Sequence, residues 1–493
     1  MKRSGSILLI SCYELGHQPF GIASPLGFLK RAGYDPVGID LSVEPFDAEK
    51  VAGAKFIGIC VPMHTALRLG TYVASRAREV NPTCHICFYG LYASLNAEFL
   101  LREAADTVIG GEYETPLLQL IQSLEKGGHR EIPGVSRLGH VEGPFLERLP
   151  FAVPHRDRLP PLEAYAKLEA NGTDNLVGYT EASRGCLHLC RHCPIPPVYG
   201  GRFFVIPKEV VLEDIRRQIQ AGARHITFGD PDFLNGPTHS LKVVRAMHEE
   251  FPGVTFDITT KIEHILRHRF CFSELRQLGC LLVVSAVESL SDTVLTYLDK
   301  GHTRADVTTA LSVLRQEGIA LRPSLIPFTP WTTLQDYQDL LNFVESEGLI
   351  DSIDPVQYTI RLLVPPGSLL LSLPELRPYL GELVQRSFSY AWTHPDPRMD
   401  HLQRVVTERV EKAVQSGQDP YLTFTQIRLL VDAALGQEMT RISPHPDPDR
   451  PRPPRLTESW FCCAEPTQGQ LDPLQKPLKN LLVEQNPVIP VGV

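Results

Sequence analysis

The sequence predicts an α/β protein built from two consecutive strand–helix domains and a helical C-terminal region. Short apolar runs alternate with helical segments from residue 5 to about 125, which predicts a Rossmann-like, doubly wound parallel sheet. Strand and helix patterns then repeat through six further units between Val177 and Ile360, as in a (β/α) barrel. Beyond Pro374 the pattern changes to polar helices.

The N-terminal third contains five apolar runs of strand length, separated by helical segments. We predict strands at Ile7–Ile10, Val37–Leu41, Phe56–Val61, Cys84–Tyr89 and Thr107–Ile109. We predict helices at Pro25–Ala32, Thr71–Val80 and Asn96–Ala105, and a last helix opening at Gly110–Pro116. Cys84 and Cys87 lie three residues apart on one strand, so they face opposite sides and are expected to be buried free thiols.

The remaining chain divides into a linker, a barrel, a helical region and a tail. We place the N-terminal domain at 1–130, a Pro- and Arg-rich linker at 131–170, the barrel at 171–375, a helical region at 376–442 and the tail at 443–493. Barrel strands are predicted at Val177–Glu181, His225–Phe228, Thr255–Thr259, Leu281–Ala286, Ala320–Ile326 and Val356–Ile360. Helices of the following region are predicted at Tyr379–Trp392, Asp400–Ser416 and Thr423–Leu435.

The composition excludes several classes of protein. The chain has 493 residues and a net charge of −9, which argues against a general nucleic-acid surface. Its 11 cysteines are scattered and odd in number, unlike a secreted disulfide framework. The apolar run Ile7–Ile10 is too short for a signal peptide, and no stretch reaches the length of a membrane span. We therefore expect a cytoplasmic protein with no membrane partner.

Cys186, Cys190 and Cys193 form the most informative motif. Three residues separate the first pair and two separate the second. Three thiolates on one tight loop can hold three irons of a [4Fe–4S] cluster and leave the fourth iron without a protein ligand. A structural zinc site is the alternative, with His188 or His192 as a further ligand.

This spacing closely resembles the signature of radical S-adenosylmethionine (SAM) enzymes, and the resemblance extends from residue 1 to about 375. It implies a partial (β/α)6 TIM barrel in which SAM fills the open iron. It also implies that an electron from the reduced cluster, supplied by a flavodoxin or ferredoxin, cleaves SAM to the 5′-deoxyadenosyl radical. The substrate implied is a small molecule.

The same resemblance assigns SAM-binding roles at the ends of later strands. Gly229, with Asp230 or Asp232, occupies the place of the turn that meets the SAM amino group, and an ordinary turn with a helix-capping Asp is the alternative. Glu288 lies within the run Ser285–Ser289, which resembles the family's run that faces the ribose side of SAM. The remaining positions that match the family's SAM contacts are His192 before Cys193, Ser285 before Glu288, and Arg322 and Ser324 on the fifth strand.

The N-terminal third resembles the cobalamin-binding domain that precedes the barrel in a large radical SAM subfamily. The residues that carry this resemblance are Gly27–Tyr34, Asp40, Gly90, Gly110–Glu112 and Glu114. The resemblance implies bound cobalamin, but the histidine motif that supplies a lower cobalt ligand elsewhere is absent. His17 and His64 are interpreted as polar loop residues. The alternative is a Rossmann-like domain without a cofactor that only supports the barrel.

The tail contains a Pro-rich tether from Ser443 to Arg455, followed by Trp460-Phe-Cys462-Cys463-Ala-Glu-Pro466. It resembles the CUAEP/CCAEP-tail radical SAM proteins, some of which carry selenocysteine at the first paired position. That resemblance implies that Cys462 and Cys463 take part in the chemistry, whereas two incidental thiols are the alternative.

The function expected from these features is a radical modification of a small or S-, Se- or As-bearing substrate, with cobalamin-dependent methyl transfer as the favoured reaction. Three alternatives stay open: SAM aminocarboxypropyl transfer, a methylthiotransferase or RNA-modifying enzyme, and a non-enzymatic iron–sulfur sensor. The acidic charge and the lack of a second three-cysteine motif disfavour the second of these.

Overall fold

The structure is a computed structural model that describes residues 1–128, 131–170, 172–438, 447, 449–450, 452–458 and 464–465. It divides into two compact units, with the boundary between Ala164 and Tyr165. Cys462 and Cys463 lie outside the described residues. Among the residues that are described, no helix is both long enough and apolar enough to span a bilayer.

The first unit is a six-stranded sheet with strand order β2-β1-β3-β4-β5-β6, parallel except for the last strand. Its strands are β1 Ile7–Ser11, β2 Val37–Asp40, β3 Phe56–Cys60, β4 His85–Tyr89, β5 Thr107–Ile109 and β6 Val135–Ser136. Its helices are α1 Phe20–Arg31, α2 Ala48–Gly53, α3 His64–Val80, α4 Leu91–Leu95, α5 Ala97–Glu103 and α6 Glu114–Glu125. The predicted doubly wound sheet is confirmed.

The strands of this sheet are apolar because helices cover both faces of a parallel sheet. Ile7–Ile10 and most of β3 and β4 are fully buried. Cys84 and Cys87 are also buried, and both are free thiols. The expectation of two buried, unpaired cysteines is therefore confirmed.

The second unit contains a sheet of order β14-β13-β12-β11-β8-β7-β18, whose first five strands are parallel. The strands of this unit are β7 Lys167–Ala170, β8 Thr173–Thr180, β9 Ser183–Gly185, β10 Phe203–Val205, β11 His225–Phe228, β12 Thr255–Thr259, β13 Cys280–Glu288, β14 Ala320–Leu325, β15 Arg361–Leu362, β16 Leu380–Val384, β17 Ser389–Trp392, β18 Arg455–Leu456 and β19 Ala464–Glu465. The open sheet confirms the predicted partial barrel.

Ten α-helices accompany these strands in the described part of the second unit. They are α7 Ile195–Tyr199, α8 Lys208–Gln220, α9 Pro237–Glu250, α10 Ile262–Arg267, α11 Phe272–Gln277, α12 Asp292–Leu298, α13 Arg304–Gln316, α14 Leu334–Ser346, α15 Pro397–Gln415 and α16 Pro420–Leu435. The last two confirm the helices predicted near 400–416 and 423–435.

Two predicted elements are wrong. The strand expected at Val356–Ile360 is a 3₁₀ helix, Pro355–Thr359, with proline at its first position, where no N–H is needed. The short strand β15 follows this 3₁₀ helix and bridges in parallel to Phe328. The helix expected at Tyr379–Trp392 is the β16–β17 hairpin. Its Trp392 indole donates a 2.8 Å hydrogen bond to the Leu362 carbonyl, so tertiary packing overrides the helical pattern.

Candidate functional site

The three-cysteine loop follows β9 and ends at α7, at one edge of the barrel sheet. Cys186 and Cys190 are buried, Cys193 is partly exposed, and none of the three forms a disulfide. Gly185, which opens the loop, has φ +76°, and a Cβ there would lie 2.4 Å from the Arg202 carbonyl oxygen. The entry to the loop therefore requires glycine.

The electrostatics of the loop suit an anionic group. Burial raises the pKa of the Cys186 thiol to about 12. Burial also raises the pKa of Cys190, while the ammonium groups of Lys300 and Lys261 oppose that increase. Both lysines are buried. Three soft thiol ligands near two buried cations match the donor set and charge of an iron–sulfur cluster with an open iron.

His192, Glu288 and Lys300 form a buried network beside this loop. Glu288 Oε1 lies 3.1 Å from His192 Nε2 and accepts a 3.2 Å hydrogen bond from Lys300 Nζ. Burial alone would raise the pKa of Glu288, but Lys300 and His192 hold it at about 2. His192 and Glu288, which the sequence predicts separately as SAM-binding residues, are therefore in contact. Sequence reasoning did not assign Lys300 to the site.

Glu288 also has an unusual backbone conformation. Its φ is +64°, one of four positive values among the described non-glycine residues. A left-handed glutamate at the end of a barrel strand is held there by its surroundings, and such conformations concentrate at functional sites. The conformation and the ion pair together fix the carboxylate of Glu288 near the cysteine loop.

Gly229 and Asp230 shape the base of the site. Asp230 is 1% exposed and accepts hydrogen bonds from the Ala182 amide (2.9 Å) and the Ser183 hydroxyl (2.6 Å). It thereby holds the segment that leads into the cysteine loop, and burial raises its pKa to about 6. A Cβ on Gly229 would lie 1.8 Å from the Tyr179 hydroxyl oxygen, so a larger residue at this strand end would require the Tyr179 side chain to move.

Asp232 lies in a different environment from Asp230. Its Oδ1 accepts hydrogen bonds from the Leu234 amide (3.1 Å) and the Thr260 hydroxyl (2.7 Å), so it does cap the turn that follows. Its Oδ2 lies 2.8 Å from His264 Nδ1 and 3.4 Å from His188 Nε2. Although burial opposes ionisation, the two imidazoles keep the pKa of Asp232 below its usual range. His264 was not singled out from the sequence because its segment carries no motif.

The histidines of the loop bear on the zinc alternative. His188 faces the carboxylates of Asp232 and Glu263, and His192 faces Glu288. Each imidazole therefore has a carboxylate neighbour, an arrangement that is also usual for a metal-bound histidine.

Ser285, Arg322 and Ser324 lie on the adjacent strands β13 and β14, where Ser285 pairs with Pro323 and Ser324 with Ala286. Ser285 Oγ is buried and has no hydrogen-bond partner among the described residues. In contrast, the Arg322 guanidinium donates to Asp354 Oδ2 (2.7 Å) and to the Asp351 carbonyl (3.2 Å). The hydroxyl of Ser285 can accept a ligand contact, whereas Arg322 is already bound to a carboxylate.

The cobalamin-type motif of the first unit is explained largely by close backbone packing. A Cβ on Gly27 would lie 2.2 Å from the Val153 carbonyl oxygen, and one on Gly111 would lie 2.3 Å from that of Phe145. At the carboxyl ends of the strands, Ser11 Oγ is buried with no hydrogen-bond partner within the described chain, and His64 is buried at the start of α3. This polar edge is compatible with a ligand.

Comparison with known proteins gives matches in sequence and fold. Residues 180–344 match the family model of the radical SAM superfamily. Hopanoid C-3 methylase of Methylococcus capsulatus is 27% identical over 326 residues, which cover 64% of this chain and 62% of that protein. The chain thus spans less than two thirds of this relative.

Two solved structures share the fold. One is the cobalamin-dependent SAM radical enzyme OxsB with aqua-cobalamin and SAM bound (TM-score 0.67, 14% identity). The match covers 86% of this chain and 72% of the OxsB chain. The other is the radical SAM methyltransferase TsrM of Kitasatospora setae with tryptophan and a SAM analogue bound (TM-score 0.58, 16% identity), which covers 69% and 71%.

The cysteine loop and the open parallel sheet therefore define a radical SAM domain. Residues 180–344 form a radical SAM domain, as the cysteine spacing predicts. The fold of the chain is similar to those of OxsB and TsrM.

Proposed function

We propose that this protein is a radical SAM enzyme that modifies a small molecule, with methyl transfer assisted by cobalamin as the favoured reaction. The observation that carries the proposal is the loop of Cys186, Cys190 and Cys193 within a radical SAM domain, beside the buried Lys300–Glu288–His192 network. A bound [4Fe–4S] cluster would supply the electron that cleaves SAM.

The protein's own residues hold and orient the reactants in this proposal. The three thiolates bind three irons, and Lys300 and Lys261 offset their negative charge. Asp230 keeps the loop in place through Ala182 and Ser183. Ser285 offers a hydroxyl without a partner in the described chain, suited to a polar group of SAM.

The fold likeness to OxsB and TsrM supports cobalamin in the first unit. When bound, cobalamin would carry a methyl group. Ser11 and His64 lie at the carboxyl ends of the strands, where ligands of doubly wound sheets bind. The domain contains no Asp-x-His-x-x-Gly motif, so we propose binding without a protein histidine on cobalt.

The substrate is proposed to be a small or soft-element molecule. The solved TsrM structure contains tryptophan, and the methylase relative is named for a hopanoid. A net charge of −9 disfavours RNA as a substrate. The reducing electron would come from an external donor such as a flavodoxin or ferredoxin.

The pairing of β19 supports a role for the tail thiols. Ala464 pairs with Leu362 and Glu465 with Arg361, in antiparallel orientation. Ala464 therefore lies opposite the last residue of β15, and active sites of such barrels lie at the carboxyl ends of the strands. Because Cys463 directly precedes Ala464 in sequence, we propose that Cys462 and Cys463 act on the substrate.

Anaerobic reconstitution tests the main proposal. The protein is loaded with iron and sulfide and incubated with SAM and dithionite, and the products are identified by mass spectrometry. We expect 5′-deoxyadenosine, and we expect Cys186→Ala to abolish it while Cys271→Ala, at a buried free thiol outside the loop, retains it. Methylthioadenosine would indicate aminocarboxypropyl transfer instead. Zinc in place of iron after anaerobic purification would overturn the cluster assignment.

Cobalamin binding is tested separately. Protein from cells supplied with hydroxocobalamin should contain one corrin per chain, and it should show no histidine nitrogen on cobalt by electron paramagnetic resonance of the Co(II) state. Absence of bound corrin together with absence of affinity for added cobalamin would reduce the first unit to a scaffold.

A further inference from the structure

A second group of ligand-type side chains lies at the carboxyl edge of the barrel sheet, separate from the cysteines. His188 belongs to the cysteine loop, Asp232 follows β11, and His264 lies in α10 after β12. One nitrogen of each histidine and one oxygen of the aspartate all lie within 4.8 Å of one another. We call these three residues the His–Asp–His triad.

The three converging atoms have no hydrogen-bond partner in the part of the chain that the structure describes. They are His188 Nε2, Asp232 Oδ2 and His264 Nδ1, and all three are buried. The Asp232 and His264 atoms are 2.8 Å apart, within ion-pair distance. A ligand shared by the three atoms would satisfy the hydrogen-bonding capacity that the described residues leave open.

Two of the three side chains have further contacts of the kind found at metal sites. The other carboxylate oxygen of Asp232 accepts two hydrogen bonds, from Thr260 and Leu234. The other ring nitrogen of His188 lies 3.6 Å from Glu263 Oε2. Such contacts from a carboxylate to the far nitrogen of a histidine fix the ring and its tautomer at metal sites. Only Oδ2 of Asp232 remains available, so the carboxylate would bind a metal through this single oxygen.

We propose that the His–Asp–His triad binds a single divalent transition-metal ion, Zn²⁺ or Fe²⁺. Two imidazoles and one carboxylate form a donor set that both ions accept. Three protein ligands leave at least one coordination position open. His188 is 14% exposed, so the triad is not sealed from solvent, and the open position would take water or a nitrogen, oxygen or sulfur atom of the substrate.

This site goes beyond the proposed function because it is independent of the cluster and of cobalamin. His188 stands between Cys186 and Cys190 in sequence, so the same loop would serve two metal centres. The cysteines would bind the cluster irons through sulfur, whereas the triad offers only nitrogen and oxygen ligands. A metal in the triad would therefore anchor a substrate beside the radical chemistry.

The test uses the full chain, reconstituted anaerobically with its cluster and then titrated with Zn²⁺ against a chromophoric chelator. We expect one zinc per chain to remain after desalting, in addition to the cluster irons. His264→Ala and Asp232→Asn should weaken zinc binding by more than the 10- to 100-fold that loss of an orienting partner typically causes. His268→Ala is the matched control, because its ring packs on that of His264 at 5.3 Å but contributes no atom to the triad.

X-ray absorption at the zinc edge separates this site from the cysteine loop. The triad predicts only nitrogen and oxygen neighbours at about 2.0–2.2 Å, whereas zinc on the cysteines would show sulfur at about 2.3 Å. Sulfur neighbours would mean that zinc occupies the cysteine loop, and they would contradict the assignment of the cluster to that loop. The triad proposal would be overturned if neither zinc nor iron binds outside the cluster. It would also be overturned if zinc binds equally in His264→Ala and His268→Ala. Cluster iron content and circular dichroism of His264→Ala show that the variant is folded.

Discussion

The Nε2 atom of His192 lies 3.1 Å from Oε1 of Glu288, although 96 positions separate the two residues. The contact joins the cysteine loop to the end of β13, and Lys300 completes it from the following turn. A buried cation, carboxylate and imidazole thus stand directly beside the residues that we propose as cluster ligands.

Replacing Glu288 by glutamine should strongly destabilise the protein. Glu288→Gln keeps the size of the side chain but leaves the buried Lys300 ammonium without its counter-charge, which typically costs 3–5 kcal/mol. The double variant Glu288→Gln/Lys300→Met should recover much of this loss. Urea unfolding of the four proteins measures the coupling, and simply additive effects would show that the ion pair does not hold the site.

Gly229→Ala should destabilise the protein through a steric clash. The new Cβ would lie 1.8 Å from Tyr179 Oη and 2.0 Å from Cζ, and overpacking of this kind costs about 1–3 kcal/mol or more. Gly253→Ala is the control, because nothing lies within 4 Å of a Cβ there. Thermal unfolding compares the two variants, and the cost should fall in a Tyr179→Ala background. Equal midpoints for both alanine variants would contradict the packing described.

His302 should make stability depend on pH. Burial, with Lys300 nearby, lowers the pKa of His302 from 6.5 to about 4. The unfolded chain therefore binds more protons in this range, so stability is complete above pH 6.5 and falls as pH drops towards 4. Between pH 8.0 and 5.5 the loss from this group is about 1.4 kcal/mol.

His302→Gln should remove that contribution. Urea unfolding of the cluster-free protein at pH 8.0 and 5.5 measures it, and the variant should lose about 1.4 kcal/mol less than the wild type over this interval. The same pH dependence in both proteins would show that His302 is not neutral in the folded state.

The tail thiols should matter for the product and not for radical formation. Cys462→Ser and Cys463→Ser are compared with the wild type for 5′-deoxyadenosine and, once a substrate is known, for product. We expect continued SAM cleavage with loss of product, because the proposed role is on the substrate. Wild-type turnover in both variants would make the thiols bystanders.

The order of elements was predictable because it depends on local patterns. Buried parallel strands give short apolar runs and amphipathic helices give a 3.6-residue period, so the doubly wound sheet, the barrel strands through β14 and the last two helices followed from the sequence. The hairpin at Leu380–Trp392 did not. Its strand pairing and the Trp392 contact with Leu362 depend on distant residues.

The sequence by itself determined the superfamily, through the spacing of three cysteines, and the succession of an α/β domain and a barrel. Only the tertiary structure decided the different contacts that the two nearby aspartates make. Asp230 is engaged by the chain that enters the cysteine loop, whereas Asp232 faces His188 and His264. The physical reason is that spacing along a loop is a local property. Contacts among strand ends arise only after the strand order of the sheet and the direction of each side chain are fixed.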